Sequence, residues 1–288
     1  MNKCPINDSK QSIAKQMMVV AVEDMNKHPY KKMNLIWLET NGCSGNIISL
    51  LNGNNPDFLY LITHMVRFQY SNSLMAAEGE RAYEQFLKTL ETDFILIVEG
   101  AISTKNEGLY NVIGSYKGNY ITGMEAVKRA GEKAKYILAV GTCASYGGIS
   151  AASPNPSQCM SVVNFLNKEV IQLPGCPGHP EWIMGTIAHL ISFGIPELDE
   201  EGRPIIFYNV TIHDHCPRRS YFDQHIFATK LGELECMFKL GCRGPITKAD
   251  CPIRRWNDTD NWPIGDNTPC IGCAHKGFPD GMEPFIRY

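Results

Sequence analysis

Between His213 and Cys273 the chain places seven thiol or imidazole ligands within 61 residues, as His213-x2-Cys216, Cys236-x5-Cys242-x8-Cys251 and Cys270-x2-Cys273. A segment so rich in these groups folds around disulfides or around metal. The eleven cysteines follow no recognisable secretory leader, and their spacing is that of metal ligands rather than of a disulfide framework. Beyond Pro196 the apolar runs are short, Pro and Gly are frequent, and loops such as 257–268 intervene. That composition cannot build an ordinary core, so metal centres are expected to supply the missing cross-links.

The preceding part of the chain reads differently. Leu35-Ile-Trp-Leu38 is a short buried strand running into the turn Thr40-Asn-Gly-Cys43-Ser-Gly-Asn46 and a helix from Ile47. A helix over 73–91 then feeds the apolar run Phe94 to Val98 and the loop beginning Glu99-Gly. A helix over 122–134 feeds Tyr136 to Val140, whose exit is Gly141-Thr-Cys143, and Val170 to Leu173 exits into Pro174-Gly-Cys176-Pro-Gly-His179 before a helix over 181–191. Alternation of this kind predicts an α/β fold with a parallel sheet covered by helices on both faces, and such sheets carry their sites at the carboxyl ends of the strands. Cys43, Cys143 and Cys176 all fall at such ends, each beside a glycine, and are expected to converge on one rim. We read 1–33 as an N-terminal extension, 34–198 as the sheet domain and 199–288 as the cysteine-rich domain, with the boundary near 194–203.

Composition narrows the function. At 288 residues, 44% hydrophobic and 20% charged, the chain can bury a sizeable core. Its formal charge of -3 is spread without a Lys/Arg block, which argues against nucleic acid as a partner. No window approaches the roughly 18 apolar residues of a membrane span. The first 32 residues hold no secretory apolar core and no twin-arginine pair, so the expected location is cytoplasmic, with any membrane association made through a partner.

Zinc is the simplest metal for a Cys-x2-Cys pair. Counting favours iron: the three rim cysteines with His213, Cys216, Cys236, Cys242, Cys251, Cys270 and Cys273 make ten ligands, which divide as three, four and three. Structural zinc takes four ligands per site, whereas an iron-sulfur cubane lacking one iron is satisfied by three thiolates.

With these residues in view, Trp37-Leu38 followed by Cys43-Ser-Gly, Glu99-Gly, Gly141-Thr-Cys143, Pro174-Gly-Cys176-Pro and the run from His213 to Cys273 together resemble the small, electron-transferring subunit of nickel-iron hydrogenases. The resemblance is collinear over roughly residues 34 to 275, and it implies a flavodoxin-like first domain holding a proximal cluster that faces the nickel-iron centre of a separate large subunit. By position it implies a distal [4Fe-4S] on His213, Cys216, Cys236 and Cys242. It also implies a medial [3Fe-4S] on Cys251, Cys270 and Cys273, with Pro263 where the family often has a proline in place of a fourth thiolate. The implied assembly is an obligate heterodimer, alone or in higher assemblies, that passes electrons from hydrogen to an external acceptor.

The first loop departs from the family pattern. Many members carry Cys-x2-Cys there, whereas this chain reads Cys43-Ser-Gly-Asn46, leaving Cys43, Cys143 and Cys176 as the proximal thiolates. The expected proximal group is a [3Fe-4S] or a three-Cys [4Fe-4S]. A neutral amide is a poor ligand for iron in a sulfide cluster, so Asn46 is read as a cap for the following helix before it is read as a ligand. The departure resembles the cytosolic uptake and actinobacterial-type hydrogenases. Cys4 and Cys159 have no partner at ligand spacing and read as incidental thiols, and His215 as a solvated loop residue. Glu99 and His179 each have two readings: a group beside the proximal site, or a solvated residue at the rim.

Overall fold

The computed structural model describes residues 13–27, 32–256 and 259–279. Its nine strands among those residues are β1 (Met33–Glu39), β2 (Val66–Ser71), β3 (Phe94–Glu99), β4 (Ile102–Ser103), β5 (Val112–Tyr116), β6 (Asn119–Thr122), β7 (Tyr136–Val140), β8 (Cys159–Met160) and β9 (Ile171–Leu173). Five of them form one sheet in the order β2-β1-β3-β7-β9, with every neighbouring pair parallel. The helices that matter here are α1 (Ile13–Lys27), α2 (Gly45–Leu51), α3 (Gly79–Thr89), α4 (Gly123–Lys133), α5 (Thr142–Tyr146), α6 (Pro180–Ser192) and α7 (Cys251–Arg254).

The four expected strands lie in this sheet because their apolar runs are buried on both faces. Leu35, Trp37, Ile95 and Ile97 enter one apolar cluster, while Ile36, Leu38, Leu96 and Val98 enter the other, as the two-residue period of a strand requires. Each fully buried aliphatic side chain contributes about 1.5–3 kcal/mol relative to exposure, and all eight of these residues are fully buried. Helix α6 is apolar nearly all round and buried from Trp182 to Leu190, the pattern of a helix enclosed on every side. One side of its cluster belongs to the sheet. The other is supplied by Ala228, Met237, Ala249, Trp262, Ile264 and Ala274 from the cysteine-rich segment, so one apolar core runs through both expected domains.

Three elements differ from expectation. The edge strand β2 escapes a run-based reading because Arg67 and Gln69 interrupt its apolar residues. The helix expected over 73–91 starts only at Gly79, because Ser71 Oγ accepts from the amides of Ser73 and Leu74 and turns the chain there. Part of the polar leader, Ile13–Lys27, is helical and lies against α6, with Met25 in the core.

Candidate metal centres

At the carboxyl edge of the sheet, the exits of β7 and β9 are bonded to each other. Gly141 N–H donates to Leu173 O at 2.9 Å and Thr142 N–H to Gly175 O at 2.9 Å. In return Gly175 N–H donates to Thr142 Oγ1 at 3.0 Å. These bonds bring the Cys143 turn against the Cys176 loop. Gly148, at φ 49°, backs onto the first of these, and a Cβ there would sit 3.0 Å from Cys143 Sγ. Burial, then the neighbouring sulfurs of Cys273, Cys143 and Cys43, push the Cys176 thiol up to about 12. The Cys143 and Cys176 loops therefore share one rim, and the Thr142 hydroxyl, donating to the carbonyl oxygen of Cys273, ties the C-terminal segment to them.

Helix α2 begins without a side-chain cap of its own, since Ser44 stands at the N-cap at φ 57° and supplies none. The orphan amides of the first turn are served from another strand. Glu99, 1% exposed, accepts from Asn46 N–H at 2.7 Å and Ile47 N–H at 3.1 Å, and also from Trp37 Nε1 at 3.2 Å and Asn46 Nδ2 at 3.1 Å. Burial holds the Glu99 carboxyl above its ordinary range against these donors. Glu99 is thus neither solvated nor a free rim group.

Asn46 does not cap α2, because its amide is spent elsewhere. Nδ2 goes to Glu99, and Oδ1 accepts from Gly178 N–H at 2.7 Å, joining the first loop to the Cys176 loop. Gly141, at φ 85°, passes so close that a Cβ would lie 2.4 Å from Asn46 Nδ2. Counted by spacing, the partner of Cys43 in a Cys-x2-Cys pair falls at Asn46 or at Thr40. Thr40 is also buried, and its hydroxyl donates to Glu99 O at 3.0 Å. Neither position carries a thiolate, and both side chains are tied to the Glu99 strand end.

The second group lines one small pocket, with His213, Cys216, Cys236 and Cys242 facing it and Arg218, Phe238 and Ile264 among the walls. His213 sits on a short turn closed by a reciprocal Thr211–Asp214 capping box, and its ring meets Phe222 edge-on at 4.5 Å. Burial, then Arg219, lowers its pKa, which favours the neutral ring that ligation requires. Its Nε2 is buried without a hydrogen-bond partner. Arg218, which the sequence pattern does not single out, is 8% exposed and donates to Glu233 O at 2.7 Å and Glu235 O at 2.9 Å. Its charge favours thiolate at Cys216, Cys236 and Cys242.

Cys251, Cys270 and Cys273 form the third group. Burial, then Cys273, Asp250 and Cys270, raises the Cys251 thiol. Burial, then Cys273 and Cys242, raises that of Cys270. The short helix α7 that carries Cys251 is pinned to α6 by buried polar contacts: Trp182 Nε1 donates to Asp250 Oδ1 at 2.9 Å, and Arg254 pairs with Asp250 at 2.7 Å and with Glu181.

Gly272 N–H donates to the Cys270 sulfur at 3.4 Å, a bond that suits an anionic sulfur. Burial raises the Cys216, Cys236, Cys242 and Cys270 thiols, so metal binding must displace their protons. Among the described residues no three His, Cys, Asp or Glu groups lie close enough to share a single metal ion.

The remaining sequence candidates sort as follows. Cys4 lies outside the described residues. Cys159 is buried in the β4–β8 ladder, 3.3 Å from Ser157 Oγ; burial, opposed by the Ser157 hydrogen bond, raises its thiol, and the sulfur of Cys143 adds to the rise. His179 is no solvated loop residue. It is 1% exposed, its Nδ1 accepts from Glu181 N–H at 3.1 Å to cap α6, and burial, then Arg254, lowers its pKa to about 3.

Known proteins resemble this chain over most of its length. Residues 208–286 match the family described as the C-terminal part of the NiFe/NiFeSe hydrogenase small subunit, and residues 43–190 match NADH ubiquinone oxidoreductase, 20 Kd subunit. The chain is 38% identical over 275 residues to the periplasmic [NiFeSe] hydrogenase small subunit of Desulfomicrobium baculatum, covering 88% of this chain and 87% of that protein. The structure of the reduced, active Ni-Fe-Se hydrogenase from that organism superposes with a TM-score of 0.85, covering 88% of this chain and 98% of the other. The actinobacterial-type NiFe-hydrogenase from Ralstonia eutropha H16 superposes with a TM-score of 0.83 at 30% identity, covering 89% of this chain and 82% of the other.

Proposed function

Because this chain belongs to the small subunits of nickel-iron hydrogenases, and so is the electron-transfer partner of a large subunit with the catalytic centre, we propose that its ten candidate ligands hold three iron-sulfur clusters in series. Cys43, Cys143 and Cys176 hold the proximal group, Cys251, Cys270 and Cys273 a medial [3Fe-4S], and His213, Cys216, Cys236 and Cys242 a distal [4Fe-4S]. The clusters supply one-electron steps between hydrogen and an external acceptor. The chain breaks no bond itself; it fixes positions, excludes water and tunes potentials. The observation that carries this reading is the position of Thr142, which precedes Cys143, accepts from Gly175 N–H beside Cys176 at 3.0 Å and donates to the carbonyl oxygen of Cys273. That one residue joins the sheet rim to the cysteine-rich segment. The C-terminal match over 208–286 also separates the chain from the respiratory 20 Kd subunit, which it matches only over 43–190.

The proximal group is proposed to be a three-thiolate cluster, [3Fe-4S] or [4Fe-4S], since Asn46 has spent both ends of its amide. One thiolate fewer, and imidazole in place of thiolate at the distal site, both raise potential by removing negative charge. Such a relay suits oxidation of dilute hydrogen in air, which hydrogen-oxidation assays with and without oxygen test; complete loss of activity in air refutes it. Exposed Ile48 and Leu51 on α2 and Ile149 beyond the Cys143 turn flank the rim and suit a buried interface with the large subunit. Among the described residues no helix is long and apolar enough to cross a membrane. A cytoplasmic location is proposed on the ten described cysteines, all unbridged, and cell fractionation tests it.

Anaerobic purification of the heterodimer with iron, nickel and zinc analysis and EPR of both redox states tests the ligand sets. The sets require about ten or eleven iron atoms per heterodimer beyond the nickel-iron centre. Zinc without iron, or iron for one cluster only, overturns them.

A further inference from the structure

Cys43 is the exposed member of the proximal set and the one thiolate of its loop, so burial does little to hold it in place. The residue after it, Ser44, sits at φ 57° and ψ 16°, a left-handed conformation that disfavours an L side chain and persists only where its surroundings impose it. Two hydroxyls and one carboxylate impose it here. Ser44 Oγ donates to Glu39 Oε2 at 2.6 Å, and Ser73 Oγ donates to the other carboxylate oxygen. Glu39, the last residue of β1, is itself held through its main chain: its N–H donates to Asn72 Oδ1 at 3.2 Å, and its carbonyl oxygen accepts from Asn72 Nδ2 at 3.2 Å. The exit of β2 therefore fixes Glu39, and Glu39 fixes Ser44. The sulfur of Cys43 is turned back over the start of α2, where a Cβ on Gly45 would lie 3.0 Å from it and 3.6 Å from Cβ of Pro177, the residue after Cys176.

We propose that Glu39 is a positioning residue for the proximal site: through the Ser44 hydroxyl it holds the Cys43 loop in the conformation that presents this sulfur beside the Cys176 loop. The inference rests on the ligand sets above. A carboxylate suits the task because its two oxygens accept from both hydroxyls at once, and charge-assisted bonds of this kind are the strong ones. Since the role is one of position rather than charge, an amide can stand in at 39: its oxygen accepts from Ser44 while its NH2 donates to Ser73 Oγ. Alanine cannot. Without the bond Ser44 is free to leave the left-handed region, and Cys43 moves with it. No medial or distal candidate ligand lies on this loop, so those two sites are internal controls.

The test is EPR of the anaerobically purified heterodimer during exposure to an iron chelator, with Glu39→Ala, Ser44→Ala and Glu39→Gln. Glu39→Ala is expected to change the proximal line shape and to lose the proximal signal about tenfold faster than wild type, the effect of one lost bond to a charged group. Medial and distal signals should not move. Ser44→Ala should do the same, because it removes the other end of that bond, whereas Glu39→Gln should behave as wild type. An unaltered proximal signal and loss rate in either alanine variant overturns the proposal. So does a Glu39→Gln variant that behaves like Glu39→Ala, because charge and not position is then what acts. Equal acceleration of all three signals, which marks general loosening of the fold, overturns it too. Should Glu39→Ala not assemble, Ser44→Ala is read by the same criteria, and failure of both to assemble also overturns the proposal. The ligand sets fail separately: Cys43→Ala would then leave the proximal signal of the otherwise native heterodimer intact.

Discussion

Replacing Asn46 with alanine tests whether this residue clamps the rim or ligates iron. The substitution removes the Asn46 Nδ2 bond to Glu99 and the acceptor for Gly178 N–H. A hydrogen bond to a charged group is worth about 1.5–3 kcal/mol, and a buried N–H left unsatisfied costs about 1–3 kcal/mol. Because both losses occur at one side chain beside water-accessible loops, a total of about 3 kcal/mol is expected, roughly a hundredfold in the local opening equilibrium. Hydrogen exchange at the Gly178 amide in the intact heterodimer reads that opening directly. The deficit also depends on pH. Burial already holds the Glu99 carboxyl above its ordinary range, and losing a donor to the charged form raises it further. Stability from a raised carboxyl is present in acid and lost as pH rises through the folded pKa, so the variant should be penalised more at about pH 8 than at about pH 5.5. Asn46→Asp sharpens the contrast, since a carboxylate is a better iron ligand than an amide but repels Glu99. Clamping predicts that Asp is worse than Ala. An Asp variant as stable as wild type, with an altered proximal EPR signal, would refute the clamp and make position 46 a ligand.

Three further outcomes follow from the geometry. Arg218→Met should lower the distal potential and make that cluster the first lost on dilution, because Cys216, Cys236 and Cys242 lose their nearest buried cation; redox titration and iron counts check this. Glu99→Gln should cost about 2–3 kcal/mol, since an amide cannot accept on both atoms from Trp37, Asn46 and Ile47, and should flatten the pH dependence of thermal unfolding. Cys159→Ser should leave the iron content unchanged, whereas Cys216→Ala should remove about four iron atoms.

Much of the fold was legible because its signals are local. The runs at 35–38, 94–98, 136–140 and 170–173 announce strands by themselves, and a glycine beside each of Cys43, Cys143 and Cys176 marks the turn that follows. Edge strand β2 was not legible, since an edge needs only partial burial and tolerates Arg67 and Gln69. The metal character of the chain was written in ligand spacing, which reports on side chains a few residues apart.

What the tertiary structure alone decided is what crosses the chain. Asn46 reaches Gly178 over 132 residues and Thr142 reaches Cys273 over 131. No spacing rule spans such separations, because the partner of a buried polar group is whichever group the packed sheet brings within about 3 Å. So the sequence by itself determined the fold class and which side chains are candidate ligands. The packing of α6 between sheet and cysteine-rich segment decided that His179 is buried and neutral, and the packed sheet edge decided that Glu99 caps a helix and that Thr142 ties the Cys176 loop to Cys273.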